Sequence, residues 1–287
     1  MTLVTIGLPV YNNESTLRAA LDSLLAQDFQ DFVLLISDNG STDATPEICM
    51  AYRERDGRVH YYRQAEVLRP VLNYKFVLTR AKTPYFMWAA GDDLWKPGFI
   101  SANLAYLETN RDYVQSQSLV RFERNGIPEE LSRGTYALRG SVASNMAGFL
   151  KIPADNSRIY GLFRTASLKQ AFPTADYYGW DWALTFSTLR YGKHNELHAE
   201  LMIRDRTEFP AYARSIDEYY KLGVFWLFPV LDMSLHLLRA GVPVPDVRVY
   251  CRLLLLNVAI FLEYNSYRLK KAWHALTRHN SPGLPGG

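Results

Sequence analysis

Residues 89–98 read AAGDDLWKPG and set two carboxylates, Asp92 and Asp93, side by side after an apolar run. Adjacent carboxylates repel each other and lose hydration on burial unless positive charge lies beside them. A surface turn answers that need with water. A divalent cation answers it with charge, because Mg2+ and Mn2+ take carboxylate and phosphate oxygens together. On that reading Asp93 is the candidate ligand and a diphosphate the candidate anion. Further acids stand at Glu14 in PVYNNE, Asp38 in SDNGSTD and Asp181 in GWDW. Arg204 and Arg206, in MIRDR, carry planar forks that match phosphate oxygens; the alternative for both is a solvated loop with Asp205 or Glu208 as partners. His194 and His198 flank a strand and read as structural. Trp88, Trp95 and Tyr160 read as core or cleft wall.

These residues need a frame that gathers them. LVTIGLPV is apolar at nearly every position, as in a parallel strand buried on both faces. Leu17, Leu21, Leu24 and Leu25 then recur at helical spacing. DFVLLISD, RVHYY and PYFMWAA read as three more strands. Between them lie a helix that stops near Asp56-Gly57 and another over PVLNYKFVLTRAK. Thr45, Pro46 and Glu47 read as N-cap, N1 proline and first-turn acid of the first of these. Strand–helix–strand succession predicts right-handed crossovers and a mostly parallel open sheet. Ligands bind such sheets beyond the carboxyl ends of the strands, which is where PVYNNE, SDNGSTD, RQAEVLR and AAGDDLW fall. None of these segments is a G-x-G-x-x-G or P-loop cradle. After a helix over KPGFISANLAYLETN the pattern is mixed. YVQSQSLVRF reads as a strand with one wetter face, and ERNGIPEELSRGTYALRG as turn-rich and mobile. SVASNMAGFLKI reads as a helix, RIYGLFR as a strand and TASLKQAF as a short helix. GWDWALTFSTLRYGK reads as a helix closed by Gly192, and ELHAELMIRDR as a strand. Aspartate at a helix start is a favoured N-cap, which is the ordinary role for Asp181.

The chain has 287 residues, 48% apolar and 14% aromatic, which supports one large domain with an appendage. A net charge of +3 without a long basic block gives no electrostatic footprint for nucleic acid. Cys49 and Cys251 form neither a metal spacing nor a disulfide framework, which fits a reducing compartment. The N-terminus runs straight into a strand and lacks a secretory pattern. From about residue 215, YYKLGVFWLFPVLDMSLHLLRAG and the stretch 247–279 read as helices, broken by AGVPVPD and followed by a frayed SPGLPGG. The apolar run Leu253–Leu262, interrupted by Asn257, is too short for a bilayer crossing of ~20 residues. Arg248, Arg252, Arg268, Lys270, Lys271 and Arg278 surround it. Two readings stay open: a helical pair packed on the first domain or on another subunit of a homo-oligomer, or a monotopic element on a membrane surface.

VTIGLPVYNNESTLRAALDSLLAQDFQDFVLLISDNGSTDAT resembles the N-terminal half of family 2 glycosyltransferases, and the likeness covers residues 3–210. Its carriers are an ordered set: a Pro-x-Tyr-Asn segment, a serine-leucine-leucine-x-glutamine helix, an Asp-Asn-Gly-Ser-Thr-Asp turn and an Asp-x-Asp-like acid motif. The resemblance implies the α/β GT-A fold, a Rossmann-like, mostly parallel sheet flanked by helices, here with a C-terminal helical extension. Residues 1–214 would be the catalytic domain, with 1–95 binding nucleotide and 96–214 binding acceptor, and residues 215–287 the helical region. The implied activity is inverting transfer of a sugar from a nucleotide-diphosphate sugar, of UDP type, to a hydroxyl of a glycan or lipid-linked acceptor. In that family's pattern Pro9, Tyr11 and Glu14 fall in the first nucleotide loop and Asp38 at the base-reading acid. Asn73 joins the nucleotide contacts, in a segment that lacks the glycine of many relatives. Asp92 falls near the ribose and diphosphate, Asp93 at the Mn2+ or Mg2+ ligand, and Arg204 or Arg206 on the diphosphate. Asp181 matches the general base, with Trp180 where relatives carry glutamate. A base flanked by Trp180 and Trp182 would be partly desolvated, which raises its pKa toward usefulness. The implied location is the cytoplasm, peripheral at the inner face of a membrane. Two rivals remain: a non-catalytic nucleotide-sugar-binding relative, which Trp180 favours, and a sugar nucleotidyltransferase. The latter would want a glycine-rich basic loop where LPVYNNE stands.

Overall fold

The computed structural model describes residues 2–206, 216–217, 219–240 and 246–279, with side chains to 270 and that of Trp273. The basic-aromatic stretch 207–215, the break at 241–245 and the end at 280–287 lie outside the described residues. Two compact units form: Met1–Asp176 with Trp180–Phe209, and Tyr177–Gly179 with Pro210–Gly287.

The first unit is built on one nine-stranded sheet. Strands β1 (Val4–Val10), β2 (Phe32–Asp38), β3 (Val59–Arg63) and β4 (Tyr85–Trp88) alternate with helices α1 (Leu17–Leu25), α2 (Thr45–Arg55) and α3 (Pro70–Arg80). The four strands pair in parallel in the order β3-β2-β1-β4, as the sequence rhythm predicts. All seven residues of β1 are buried, because helices cover both faces of a parallel sheet. In α1 the buried residues are Leu17, Ala20, Leu21 and Leu24, one face at helical spacing.

The second half adds β5 (Leu94–Trp95), α4 (Phe99–Thr109), β6 (Tyr113–Arg124), β7 (Ile127–Leu131), α5 (Val142–Lys151), β8 (Leu162–Arg164), α6 (Thr165–Ala171), α7 (Trp180–Thr188) and β9 (Lys193–Asp205). The sheet continues β4-β8-β6-β9-β5, with β7 on the side of β6. β8 runs antiparallel to both neighbours, while β6 and β9 form a long parallel ladder.

Six local readings change. β6 buries residues 113–118 on both faces rather than wetting one, and α7 stops at Thr188, short of Gly192. The stretch after β6 is a hairpin into β7 rather than a mobile turn-rich segment. Its turn is Asn125-Gly126, both with positive φ (51° and 74°), the chemistry that a two-residue hairpin needs. Ser157–Tyr160 is a 3-10 turn, and only Leu162–Arg164 of RIYGLFR is strand. Thr45 is the first helical residue of α2 and Ala44 the cap. The Thr45 hydroxyl is occupied elsewhere, accepting the Asn13 N–H at 2.8 Å. In the second unit, the predicted helix around residues 219–241 is two pieces, α8 (Val224–Leu227) and α9 (Leu231–Arg239), because Pro229 lacks the N–H that would continue it. Residues 247–279 form one helix, α10 (Val247–His279), as expected.

The loops beyond the β1 and β2 carboxyl ends are laced together. Asn12 and Glu14 donate backbone N–H groups to Ser41 Oγ and Asp43 Oδ2, both at 3.0 Å. In return Thr42 and Ala44 donate N–H groups to Asn12 Oδ1 and Glu14 Oε2, both at 2.9 Å. The acid turn after β4 joins them: Thr16 Oγ1 donates to the Gly91 carbonyl at 2.7 Å. A Cβ at residue 91 would lie 2.9 Å from Asn13 Cγ, so glycine lets the acid turn lie this close to the Asn13 side chain. Gly91→Ala is expected to destabilise the protein by about 1–3 kcal/mol through overpacking. Since the clash is with Asn13, the losses in a Gly91→Ala/Asn13→Ala double variant should fall short of adding. Urea unfolding of the four-member cycle measures this, and strictly additive losses would contradict the contact.

Candidate active site

The acid turn treats its two carboxylates differently: Asp92 is exposed, whereas Asp93 is 2% exposed. The cause is β5, which follows at once and pairs antiparallel with β9, Leu94 opposite Ile203 and Trp95 opposite Met202. That pairing lays the end of β9 along the turn. The Asp205 N–H donates to Asp93 Oδ1 at 3.1 Å. Arg204 Nε stands 3.4 Å from Asp93 Oδ2. Both atoms are buried and neither makes a hydrogen bond, so the two charges face each other without closing one.

The other nitrogens of Arg204 reach the 153–157 loop. Nη1 donates to Ser157 Oγ at 2.9 Å and lies 3.7 Å from Asp155 Oδ1. The guanidinium carbon lies 4.9 Å from the Tyr160 ring centroid, within cation–π range. Burial opposes the arginine's charge, but Asp93, Tyr160 and Asp155 outweigh it and hold it protonated beyond the usual guanidinium range. Burial pushes the Asp93 carboxyl up to about 7; Arg204 resists that rise and the like charge of Asp92 adds to it.

From Asp155 the polar chain continues to the start of α7. Asp155 Oδ1 accepts from Ser132 Oγ at 2.8 Å and the Ser157 N–H at 2.9 Å. Asn156 adopts a left-handed backbone, φ 48°, which asparagine tolerates. This aims its side chain at the helix: Nδ2 donates to Asp181 Oδ2 at 2.9 Å, and Oδ1 accepts the Thr185 hydroxyl at 3.1 Å. Asp181 is the second residue of α7, inside the first turn and not its cap. It is half-buried, and burial raises its proton affinity while the Asn156 N–H pulls the other way. The Trp180 ring packs edge-on to Tyr74, whose hydroxyl lies 3.3 Å from that of Tyr160.

The remaining predicted site residues divide by environment. Arg206 turns to the β7 hairpin, pairing with Glu130 and lying 3.6 Å over the Phe122 ring, and so does not join Asp93. Pro9 is buried in β1, past the last β1–β4 pair, where its missing N–H leaves that ladder intact. Tyr11 is half-exposed at the strand end. Glu14 holds the first turn of α2 through Ala44. Asp38 is fully buried, accepting the Ser41 N–H and the Tyr61 hydroxyl, both at 2.8 Å. Asn73 is also interior: its Oδ1 accepts from Ser37 Oγ at 2.5 Å and its Nδ2 donates to the Ser37 carbonyl at 3.1 Å, clamping α3 to β2. His194 is buried with Nε2 3.0 Å from the Thr188 hydroxyl, a structural position. Sequence reasoning missed Asp155, Asn156 and Ser157. Their signal was PADNS, a cluster of turn-forming polar residues before an apolar run.

Among the described residues, no three His, Cys, Asp or Glu side chains gather to hold a metal alone. The donor set still fits a hard divalent ion that arrives with its own phosphate oxygens. Asp93 Oδ2 is a buried acceptor without a hydrogen bond, and such ions commonly rest on one or two carboxylates plus substrate phosphates. Asp92 lines a cavity of about 270 Å³ with Ser15, Thr16 and Asp205.

The profile described as Glycosyl transferase family 2 matches residues 5–172. An uncharacterized glycosyltransferase of Rickettsia typhi is 25% identical over 279 residues, covering 92% of this chain and 81% of its own length. The putative glycosyltransferase EpsE of Bacillus subtilis is 24% identical over 164 residues, 51% of this chain and 57% of EpsE, so the match spans little more than half of that relative. Among solved structures, S. aureus TarS 1-349 in complex with UDP-GlcNAc superposes with TM-score 0.64 at 18% identity, covering 91% of this chain and 71% of TarS 1-349. Mannosyltransferase PcManGT from Pyrobaculum calidifontis, in complex with GDP-Man and Mn2+, gives TM-score 0.58 at 15% identity, covering 98% and 76%. The chain belongs to the family 2 glycosyltransferases, and its first unit has their GT-A fold.

The Asp93 environment has a consequence for stability. An ordinary aspartate titrates near 3.8, so a folded-state value of about 7 means that the native state binds the extra proton between those limits. Its stabilising share is full below about pH 4 and is lost as pH rises through 7. In metal-free buffer, Asp93→Asn should therefore gain on the wild type from pH 4 to 7, by up to about 4 kcal/mol, and stay level above. A stability difference independent of pH, read by urea unfolding, would contradict this.

Proposed function

We propose that the first unit catalyses inverting transfer of a sugar from a nucleoside-diphosphate sugar, first of all a UDP-sugar, to a hydroxyl of a glycan or lipid-linked acceptor. The observation that carries this reading is the continuous polar chain Asp93–Arg204–Asp155/Asn156–Asp181. It joins an acid turn at the carboxyl edge of a parallel sheet to a half-buried carboxylate opening a helix. The TarS and PcManGT structures, with UDP-GlcNAc and GDP-Man, support a nucleotide-sugar donor as the ligand class.

In this reading Asp181 accepts the proton of the acceptor hydroxyl. The freed oxygen forms the new bond to the anomeric carbon as the bond to the diphosphate oxygen breaks, and the configuration inverts. The leaving diphosphate takes the bonding electrons, and Arg204 turns its fork from Asp93 and Asp155 toward that charge. Loss of one such preorganised contact typically lowers rate by roughly 10²–10³. A divalent ion, Mn2+ or Mg2+, would be held by Asp93 with Asp92 alongside, and would supply further neutralisation of the diphosphate. Tyr11 and Asp92, the exposed members of the nucleotide set, make the direct contacts. Pro9, Glu14, Asp38 and Asn73 shape the loops that receive the nucleotide. Asn156 is a positioning residue that aims Asp181.

Asp181→Asn is expected to lower transfer by at least about 10²–10⁴, the range of general-base catalysis, with the donor dissociation constant unchanged by calorimetry. Asn156→Ala removes the N–H that favours the Asp181 carboxylate. The acidic limb of the pH–kcat profile should then move to higher pH, at unchanged donor affinity. Turnover equal to wild type in Asp181→Asn would remove the base assignment, and a stationary limb would remove the role of Asn156.

A further inference from the structure

A helix packed on a globular unit needs one apolar face, and α10 has two. Val249, Leu253, Leu256, Ile260 and Tyr264 form its buried face. Leu254, Leu255, Val258, Leu262, Leu269 and Trp273 are all exposed, from 44% at Val258 to 72% at Leu269. At about 100° per residue these six fall in one stripe about 100° wide, and from Leu254 to Trp273 it runs about 30 Å. An exposed apolar band of this size on one element marks a surface for another apolar phase.

A groove adjoins the band. A cavity of about 370 Å³ opens between α9 and α10, lined by Leu231, Leu235 and Leu238 on one side and Leu254 and Val258 on the other. Leu254 and Val258 therefore belong to both the band and the groove.

One margin of the band carries Arg248, Arg252 and Lys270, with Glu263 as the acid on the helix and Asp246 just before it. Arg248 is paired with Asp246 at 2.6 Å. On the opposite margin Arg268 is held 3.2 Å from Asp217 and over the Trp226 ring. The cationic margin decides between occupants. Antiparallel self-pairing of the band would set the same margin against itself, Arg252 toward Lys270, which like charge disfavours. An anionic surface would meet these cations favourably. Among the described residues no helix is long and apolar enough to cross a membrane, so the band would lie in the interface and not span it.

We infer that α10 docks the second unit onto an anionic lipid bilayer, with its exposed band in the headgroup–acyl boundary and the α9–α10 groove receiving an acyl chain. Docking of this kind needs neither donor nor acceptor, so it can fail or hold independently of sugar transfer. The full chain is floated with vesicles of phosphatidylcholine alone or with one-third phosphatidylglycerol, and size-exclusion with light scattering gives its oligomeric state. Wild type should float with the anionic vesicles, and much less with neutral ones or in high salt. Leu254→Glu/Leu262→Glu should abolish flotation with circular dichroism unchanged. Arg252→Glu/Lys270→Glu, which leaves the band intact, should weaken it about tenfold or more. Failure of the wild type to float, or flotation indifferent to both variants, overturns the inference. So does a dimer that Leu254→Glu/Leu262→Glu converts to monomer without any vesicle binding, because the occupant is then a second copy.

Discussion

The guanidinium of Arg204 lies between two carboxylates in a place largely cut off from water, and the layout of the candidate site follows from it. Asp93 alone would be a costly group to bury, with a second acid as its chain neighbour. Arg204 answers that charge at 3.4 Å, and Asp155 and the Tyr160 face share the guanidinium. Removing one partner of a buried pair typically costs about 3–5 kcal/mol, because the other charge is left uncompensated. The contact therefore ties together three segments distant in sequence: the turn after β4, the end of β9 and the loop that aims Asp181.

The pairing is firm in charge and loose in geometry. Arg204 Nε and Asp93 Oδ2 face each other without a hydrogen bond, though the arginine's Nη1 is bound to Ser157. A cation held in this way is preorganised but not locked. It suits a group that exchanges a carboxylate for a diphosphate, since the positive charge is already desolvated and aimed. The frame around it is cross-tied by contrast. The loops after β1 and β2 exchange backbone-to-side-chain hydrogen bonds in both directions, and Gly91 lets the acid turn close against Asn13.

Much of the first unit was legible because its signals are local. Short continuous apolar runs rich in β-branched residues, such as LVTIGLPV, read as strands covered on both faces, and leucines at helical spacing in α1 read as a core-facing side. The second half hid more. The Asn125-Gly126 turn was a hairpin signal in plain view, but the polar run around it reads as loop until β6 supplies a pairing partner. β5 is two residues long, too short for any periodicity, yet it delivers Arg204 to Asp93. The adjacent carboxylates Asp92 and Asp93 were visible as a demand for positive charge. That an arginine over a hundred residues away meets it was not, since a tertiary ion pair leaves no trace in local spacing. Asn156 was invisible for the same reason: its role depends on a left-handed backbone and on where α7 begins. In Asp38 and Asn73 a polar type was legible, but their engagement inside the turn and under α3 depends on packing.

Arg204 faces Asp93 in the structure, and in the proposed transfer its charge turns to the diphosphate when donor binds. Calorimetric titration of UDP and GDP with Mn2+ into wild type and Arg204→Gln measures that exchange, with circular dichroism to show that the variant is folded. The tighter of the two nucleotides should lose about tenfold or more in affinity on loss of this charge-assisted contact. A folded Arg204→Gln protein that binds the nucleotide as tightly as wild type would contradict it.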